Sequence, residues 1–276
     1  MSDPASPNSS GESARARTTR FENCHIAVTG AGTGIGRAIA ERLALEGAKL
    51  SLFGRRAELL EETAGRITAA GGNEPFLRPL DIRDQTEVNL AFGQAADSLG
   101  GIYGLVANAG VGGPNEAGDQ DRFEDLVATN LSGSYFCARA AKANLAAGPD
   151  PRHILFLSSI LGRIGVPGYT GYCASKTALL GLARAMAAEF SSERVQVNAV
   201  CPGWVDTQMA RDGLADMAGA MGITPDEAHR VAMRDVPLGR MGQPCEVAGM
   251  IAWLLSEDAF GVTGQGLDMN GGAFMS

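Results

Sequence analysis

From His25 onward, short β-branched and apolar runs alternate with longer stretches whose apolar positions recur every three to four residues. HIAVTG (25–30), KLSLF (49–53), PFLRPL (75–80), IYGLVANA (102–109), HILFLS (153–158), VQVNAV (195–200) and GQGLDMN (264–270) read as strands. Helices are predicted over 34–47, 57–72, 84–98, 119–146, 171–190 and 244–255, with a helical excursion over 207–235. In the first helix Ile35, Ile39, Leu43 and Ala44 share one face, and Gly71 closes the second. HILFLS is nearly all apolar, as expected of a strand covered on both faces. Strand–helix alternation of this kind predicts an α/β fold: one doubly wound parallel sheet of about seven strands, flanked by helices and joined by right-handed crossovers.

Residues 1–20 break this pattern. They are rich in Ser, Pro, Ala and Arg and short of apolar residues, so a disordered tail is expected, followed by one folded domain over 21–276. A chain of 276 residues is long enough to bury a large core. The formal net charge is −8, which argues against a nucleic-acid partner. No apolar run approaches the roughly 18–20 residues needed to span a bilayer, and the N-terminus offers no secretory apolar region. The five cysteines are scattered without a CxxC pair, and there are only three histidines. A metal site or disulfide framework is therefore not expected, and the thiols fit a reducing, cytoplasmic setting.

The 37 glycines are nearly twice the usual share. Three of them, Gly30, Gly34 and Gly36, fall in TGAGTGIG between the first strand and the first helix. A turn of this type lets backbone approach a pyrophosphate, which then faces the free N–H groups of the helix N-terminus. Thr33 and Ile35 lie within the same turn.

The end of the second strand bears on which dinucleotide fits. Folds that prefer NAD place a carboxylate there to accept from the ribose 2′-OH. Here the sequence is Leu52-Phe53-Gly54-Arg55-Arg56: glycine holds the acidic position and Arg55 follows. A guanidinium binds a 2′-phosphate that a carboxylate would repel, so NADP is expected, with NAD as the alternative. Asp81, after the third strand, is a candidate acceptor for the adenine amino group; capping of the next helix is the competing role. Asn108-Ala109-Gly110 ends the fourth strand with small residues that leave room beside a cofactor.

Tyr172 and Lys176 are four residues apart in a predicted helix and share a face. A phenol transfers protons poorly at neutral pH, and a neighbouring ammonium favours its ionised form. Ser158 and Ser159 follow an apolar strand, at the end where open α/β sheets place ligand chemistry. Alternation lets one of the two face the site. Asn130 sits inside the predicted 119–146 helix, where it is a mediocre helix former; it could kink the helix and bind a water near Lys176.

TGAGTGIG, ANAG, Asn130, Ser159, Tyr172-Cys173-Ala174-Ser175-Lys176 and Cys201-Pro202-Gly203 occur in an order that resembles the short-chain dehydrogenase/reductase family, in its subgroup of about 250 residues, over 21–276. The resemblance implies a Rossmann-like domain and an oxidoreductase that interconverts a ketone and a secondary alcohol. It implies that Tyr172 gives the proton, Ser159 binds the carbonyl oxygen, Lys176 tunes Tyr172 and holds the nicotinamide ribose, and Asn130 positions a water. Ser159 is preferred to Ser158 because its distance from Tyr172 matches the family pattern. Asn108 would hold the sheet and the adenosine-side ribose region, and Pro202, Gly203, Val205 and Thr207 would meet the nicotinamide end. For Thr207, helix capping competes. Met209, Met217, Met221, Met233 and Met241 line a substrate pocket or simply pack short helices. A 3-oxoacyl, polyketide-like or cyclic ketone is the expected substrate class, and a homotetramer the expected assembly. A non-catalytic nucleotide-sensing protein on the same fold is the reading from another class; it would not need the four catalytic residues.

Overall fold

The computed structural model describes residues 19–275. Its strands are β1 (His25–Thr29), β2 (Lys49–Gly54), β3 (Phe76–Pro79), β4 (Ile102–Ala107), β5 (Arg152–Leu157), β6 (Val195–Pro202) and β7 (Gly266–Met269). They form one sheet in the order β3-β2-β1-β4-β5-β6-β7, and every pairing is parallel. The helices are α1 (Gly34–Leu45), α2 (Ala57–Ala69), α3 (Gln85–Leu99), α4 (Phe123–Val127), α5 (Ser134–Ala143), α6 (Thr170–Glu189), α7 (Gln208–Met221), α8 (Pro225–Arg234) and α9 (Pro244–Leu254). This is the Rossmann-like architecture that the alternation predicts.

Side chains on successive strand residues enter opposite cores, as the two-residue strand period requires. Ile26, Val28, Val106 and Leu155 join α1, α2 and α9 in one core. Ala27, Leu105, Ile154 and Phe156 join α3, α5 and α6 in the other. Phe53 stacks on Phe92 with ring centroids 4.7 Å apart, fastening β2 to α3. The chain winds from β1 out to β3, then returns to β4 on the other side of β1. This reversal opens a crevice beyond the C-terminal ends of β1 and β4, where open α/β sheets bind ligands.

Two expected elements differ. The single helix over 119–146 is instead α4, a wide π-helical turn over Ala128–Gly133, and α5. Asn130 sits in that turn, and its amide bonds Val111 and Ser175 outside the helix. Such an inserted turn is a recognised device at functional sites. The second difference concerns the tail over 1–20, most of which lies outside the described residues. Arg20, however, is bound: its Nε donates to Glu46 at 2.7 Å, and the adjoining Phe21 is buried in the α1 core.

Candidate active site

The site begins at the turn between β1 and α1. Gly30 and Gly34 have φ of +66° and +53°, the left-handed region that side chains disfavour. A Cβ on Gly36 would lie 2.2 Å from the Gly30 carbonyl oxygen, so only glycine allows the turn to close. The loop's carbonyls are drawn away from the crevice. Arg37 Nη2 donates to Gly32 O at 2.6 Å and Thr63 Oγ1 to Ala31 O at 3.1 Å. Thr33 starts α1 in extended conformation and its hydroxyl caps nothing. The first N–H groups of α1 therefore lack a side-chain acceptor, and a cradle of this kind fits a pyrophosphate.

Asn108 fixes this turn to β4. Its Nδ2 donates to Thr29 O at 2.9 Å and to Gly30 O at 3.2 Å, while Thr29 Oγ1 accepts from the N–H groups of Asn108 and Ala109. These bonds tie the glycine turn to the end of β4.

A continuous groove runs from the cradle past Gly54, Arg55, Arg56, Leu59, Asp81 and Ile82 at one end to Tyr172 and Lys176 at the other. Among the described residues, neither Arg55 nor Arg56 makes an ion pair, and both are exposed. Asp81 faces the groove rather than capping α3: Asp84 accepts from Thr86 N and Glu87 N in that role. Asp81 is instead held by Arg83, whose Nη2 lies 2.6 Å away. The Arg83 hydrogen bond keeps the Asp81 carboxyl below its usual range despite partial burial, and the nearby Arg55 charge adds to this.

At the other end Tyr172, in the first turn of α6, lies near enough to Ser159 for that hydroxyl to act on its titration. The two serines divide as the strand period predicts. Ser158 Oγ donates to Lys176 O at 2.8 Å, so its hydroxyl is spent on α6 backbone. Ser159 Oγ accepts from Leu161 N at 3.1 Å, which leaves its proton free for an oxygen acceptor. Lys176 Nζ lies 5.6 Å from the centre of the Tyr172 ring and donates to Leu157 O at 2.8 Å.

Burial dominates the electrostatics here. It pushes the Tyr172 phenol above its ordinary value, with the nearby Ser159 hydroxyl acting the other way. It also brings the Lys176 ammonium down to about 8. Burial sets the direction for the phenol while the Lys176 ammonium donates to Leu157 O at the end of β5.

Asn130 is fully buried. Its Oδ1 accepts from Val111 N at 2.8 Å, and its Nδ2 donates to Val111 O at 3.0 Å and Ser175 Oγ at 3.1 Å. A Cβ on Gly110 would meet Asn130 Oδ1 at 3.0 Å and Lys176 Nζ at 3.3 Å, so these two groups converge beneath Gly110.

Of the remaining candidates, Thr33, Ile35, Pro202 and Thr207 line the groove. Thr207 also caps α7, accepting from Ala210 N at 3.3 Å. Gly203 and Val205 lie behind the groove wall: Gly203 packs on Asn270, and Val205 bridges to Gly242. The methionines divide. Met233 and Met241 are buried in a small core with Leu214 and Val236, Met221 is exposed, and Met209 lines the groove opposite Gly112. Ile82, Thr129 and Gln208 also line it, without a motif that would have marked them.

Among the described residues no helix is long and apolar enough to cross a membrane. The model of a family described as Enoyl-(Acyl carrier protein) reductase matches residues 30–273. The chain is 34% identical over 261 residues to 2-(S)-hydroxypropyl-CoM dehydrogenase 3 of Xanthobacter autotrophicus, covering 92% of this chain and 98% of that one. It is 32% identical over 250 residues to the 3-oxoacyl-[acyl-carrier-protein] reductase FabG of Staphylococcus aureus, covering 90% and 97%. Among solved structures, a variant of actinorhodin polyketide ketoreductase with NADPH superposes with a TM-score of 0.84 at 32% identity, covering 93% of this chain and 98% of that one. With the glycine turn, the Ser159–Tyr172 approach and these relatives together, the chain belongs to the short-chain dehydrogenase/reductase family of oxidoreductases acting on alcohol and carbonyl groups.

Proposed function

We propose that the protein is an NADP(H)-dependent ketoreductase that interconverts a ketone with apolar flanks and the matching secondary alcohol. The observation that carries this reading is Tyr172 and Lys176 at one end of a groove, with Ser158 in its lining and Ser159 beside Tyr172, whose other end holds Arg55 and Arg56, unpaired among the described residues. A dinucleotide held by the cradle, Arg55 and Lys176 would supply hydride chemistry there. The chain's own residues do the rest. Ser159 donates a hydrogen bond to the carbonyl oxygen and orients it. Tyr172 then gives its phenolic proton to that oxygen as negative charge develops, and takes the proton back in the reverse direction. Lys176 holds the nicotinamide ribose and, as a cation 5.6 Å from the Tyr172 ring centre, favours the ionised phenol. Asn130 keeps the backbone at Val111 and a water path toward Lys176 in place.

The α1 N-terminus and the turn through Gly30, Gly34 and Gly36 hold the pyrophosphate, and Ile35 packs beside it. Arg55, helped by Arg56 and the free Thr33 hydroxyl, takes the 2′-phosphate, since no carboxylate stands at Gly54. Asp81 accepts from the adenine amino group, and Pro202 and Thr207 meet the carboxamide. Among the described residues Lys176 is the one charged side chain at the reacting end of the groove, while Val111 and Met209 are apolar. That lining suits a 3-oxoacyl, polyketide-like or cyclic ketone better than a sugar. The names of the relatives support the same class: one is a 3-oxoacyl reductase and another a polyketide ketoreductase.

The test is turnover of a ketone panel with NADPH and with NADH, for the native protein and Tyr172→Phe. The substitution is expected to lower kcat on the order of 1,000-fold. Its Kd for NADPH is expected to stay within about threefold, because Arg55 and the cradle are untouched. Retention of most turnover by Tyr172→Phe, or absence of turnover over the whole panel in the native protein, would defeat the reading.

A further inference from the structure

Tyr172 stands in the first turn of α6, yet the residue at that helix's cap position, Tyr169, gives no side-chain cap. The missing acceptor comes from a different loop. Asn115, in the connection between β4 and α4, accepts from Gly171 N through Oδ1 at 2.8 Å. Its own N–H donates to Gly168 O at 2.8 Å, and its Nδ2 donates to Thr170 Oγ1 at 3.0 Å. The orientation of this amide is settled by Asp121. The Asp121 carboxylate can only accept, and it takes Asn115 Nδ2 at 3.0 Å and Phe123 N at 2.9 Å. Nδ2 must therefore face Asp121, and Oδ1 must face Gly171.

On the far side of Tyr172 a second clamp operates. Asn130 Nδ2 donates to Ser175 Oγ, which donates to Tyr172 O at 2.9 Å. The turn that carries the phenol is thus held from both sides by amides outside α6.

We infer that Asn115, oriented by Asp121, is a positioning residue for Tyr172: it caps α6 from the substrate-side loop and so keeps the phenol opposite Ser159. This rests on the assignment of Tyr172 as proton donor. Without Asn115 the Gly171 N–H loses its acceptor, the first turn frays, and the phenol leaves the reacting position. A displacement of about 1 Å at a reacting group lowers rates by as much as 100-fold.

The experiment compares four proteins in ketone reduction with NADPH: Asn115→Ala, Asn115→Asp, the double change Asn115→Asp with Asp121→Asn, and Tyr172→Phe. Asn115→Ala is expected to lose on the order of tenfold or more in kcat, with Kd for NADPH within about twofold and a larger solvent deuterium isotope effect. Asn115→Asp keeps the shape and the acceptor for Gly171 but opposes two carboxylates, so it loses part of kcat and serves if the alanine variant does not fold. The double change exchanges the amide and the carboxylate between the two positions and restores the donor–acceptor match. Asp121 takes both contacts on one oxygen, so the amide introduced at position 121 would turn to donate through Nδ2 to the carboxylate introduced at position 115 while its oxygen accepts from Phe123 N. It is expected to recover most of kcat and the native isotope effect. Unchanged kcat in Asn115→Ala and Asn115→Asp overturns the inference. So does a loss that comes with equal loss of NADPH affinity and no recovery in the double change, which marks a general packing role. Retained activity in Tyr172→Phe overturns the proton-donor assignment itself, and that outcome is separable from the others.

Discussion

The two ends of the parallel strands hold polar groups in opposite conditions. At the N-terminal end most are spent, with His153 Nδ1 and Gln196 Oε1 the exceptions among the described residues. Arg152, buried at the start of β5, donates to the carbonyls of Ala146, Ala147, Asp150 and Pro151. His25 engages Gly100 O and Ser51 Oγ through its two ring nitrogens. At the C-terminal end, capacity is left over: Arg55 and Arg56 are unpaired among the described residues, Thr33 caps nothing, and Ser159 has a free proton. Spent donors hold the scaffold together; spare donors mark where a ligand completes the bonding. Breaking a spent donor should therefore cost stability and leave chemistry alone, and removing a spare one should do the reverse.

The largest effect expected at this end comes from His153, an exception to that pairing, as Gln196 Oε1 across the β5–β6 pair is another. Its Nε2 meets Tyr103 Oη at 3.2 Å, and Tyr103 passes its own proton to Leu255 O at 3.0 Å. Nε2 must therefore be the protonated nitrogen, which leaves Nδ1 buried without a partner. A proton on Nδ1 would be a buried cation with no acceptor. Burial, with Arg152 adding repulsion, lowers the imidazole from 6.5 to about 4. The unfolded chain binds this proton at higher pH than the folded one. Stability is then complete above about pH 6.5 and falls as pH drops toward 4, by up to about 3 kcal/mol. His25 is shifted in the same direction, again by burial, and adds to the slope. Urea unfolding midpoints between pH 7 and pH 4.5 should show the decline, and His153→Phe should flatten much of it. A midpoint that does not change with pH would contradict the placement of His153.

Arg152→Ala is the next step down. It leaves four carbonyls unserved at the edge of the sheet, for about 2 kcal/mol of stability, since part of that loop can take water instead. Turnover per folded molecule should not change, because the site lies at the opposite strand ends. A drop in kcat without a drop in urea midpoint would blur the distinction between the two ends.

How far the sequence carries this picture depends on how local each signal is. The strands, the glycine turn and the shared face of Tyr172 and Lys176 follow from spacing within a few residues, and the fold matches what that spacing predicts. Asn130 is legible as a helix breaker for the same reason. The choice between Asp81 and Asp84 as helix cap is not, because it turns on Arg83 claiming Asp81. Two further features depend on contacts across many residues and leave no pattern in the chain. One is the capping of α6 by Asn115, 56 positions before Gly171. The other is the direction of Lys176 toward Leu157, which burial and one carbonyl decide. The methionines after β6 look alike in sequence, yet only the packing of α7 and α8 sends Met233 inward and Met209 to the groove.

The smallest effect tests the spare end directly. Arg55 is exposed and lies close enough to Asp81 for its charge to be felt there. It has no other partner among the described residues, so Arg55→Ala breaks no bond of the folded protein, and the urea midpoint should hold. A 2′-phosphate would lose one charge-assisted contact. Such contacts reach about 1.5–3 kcal/mol, but solvent around an exposed guanidinium weakens this one. A rise of about tenfold in Kd for NADPH, or near 1.4 kcal/mol, is expected, with Kd for NADH within about twofold. Fluorescence titration of both dinucleotides against the native protein and Arg55→Ala measures the difference. Equal weakening of the two would mean that Arg55 shapes the groove instead of reading the phosphate. Tighter binding of NADH by the native protein would exclude a 2′-phosphate and leave Arg55 and Arg56 without a ligand to read.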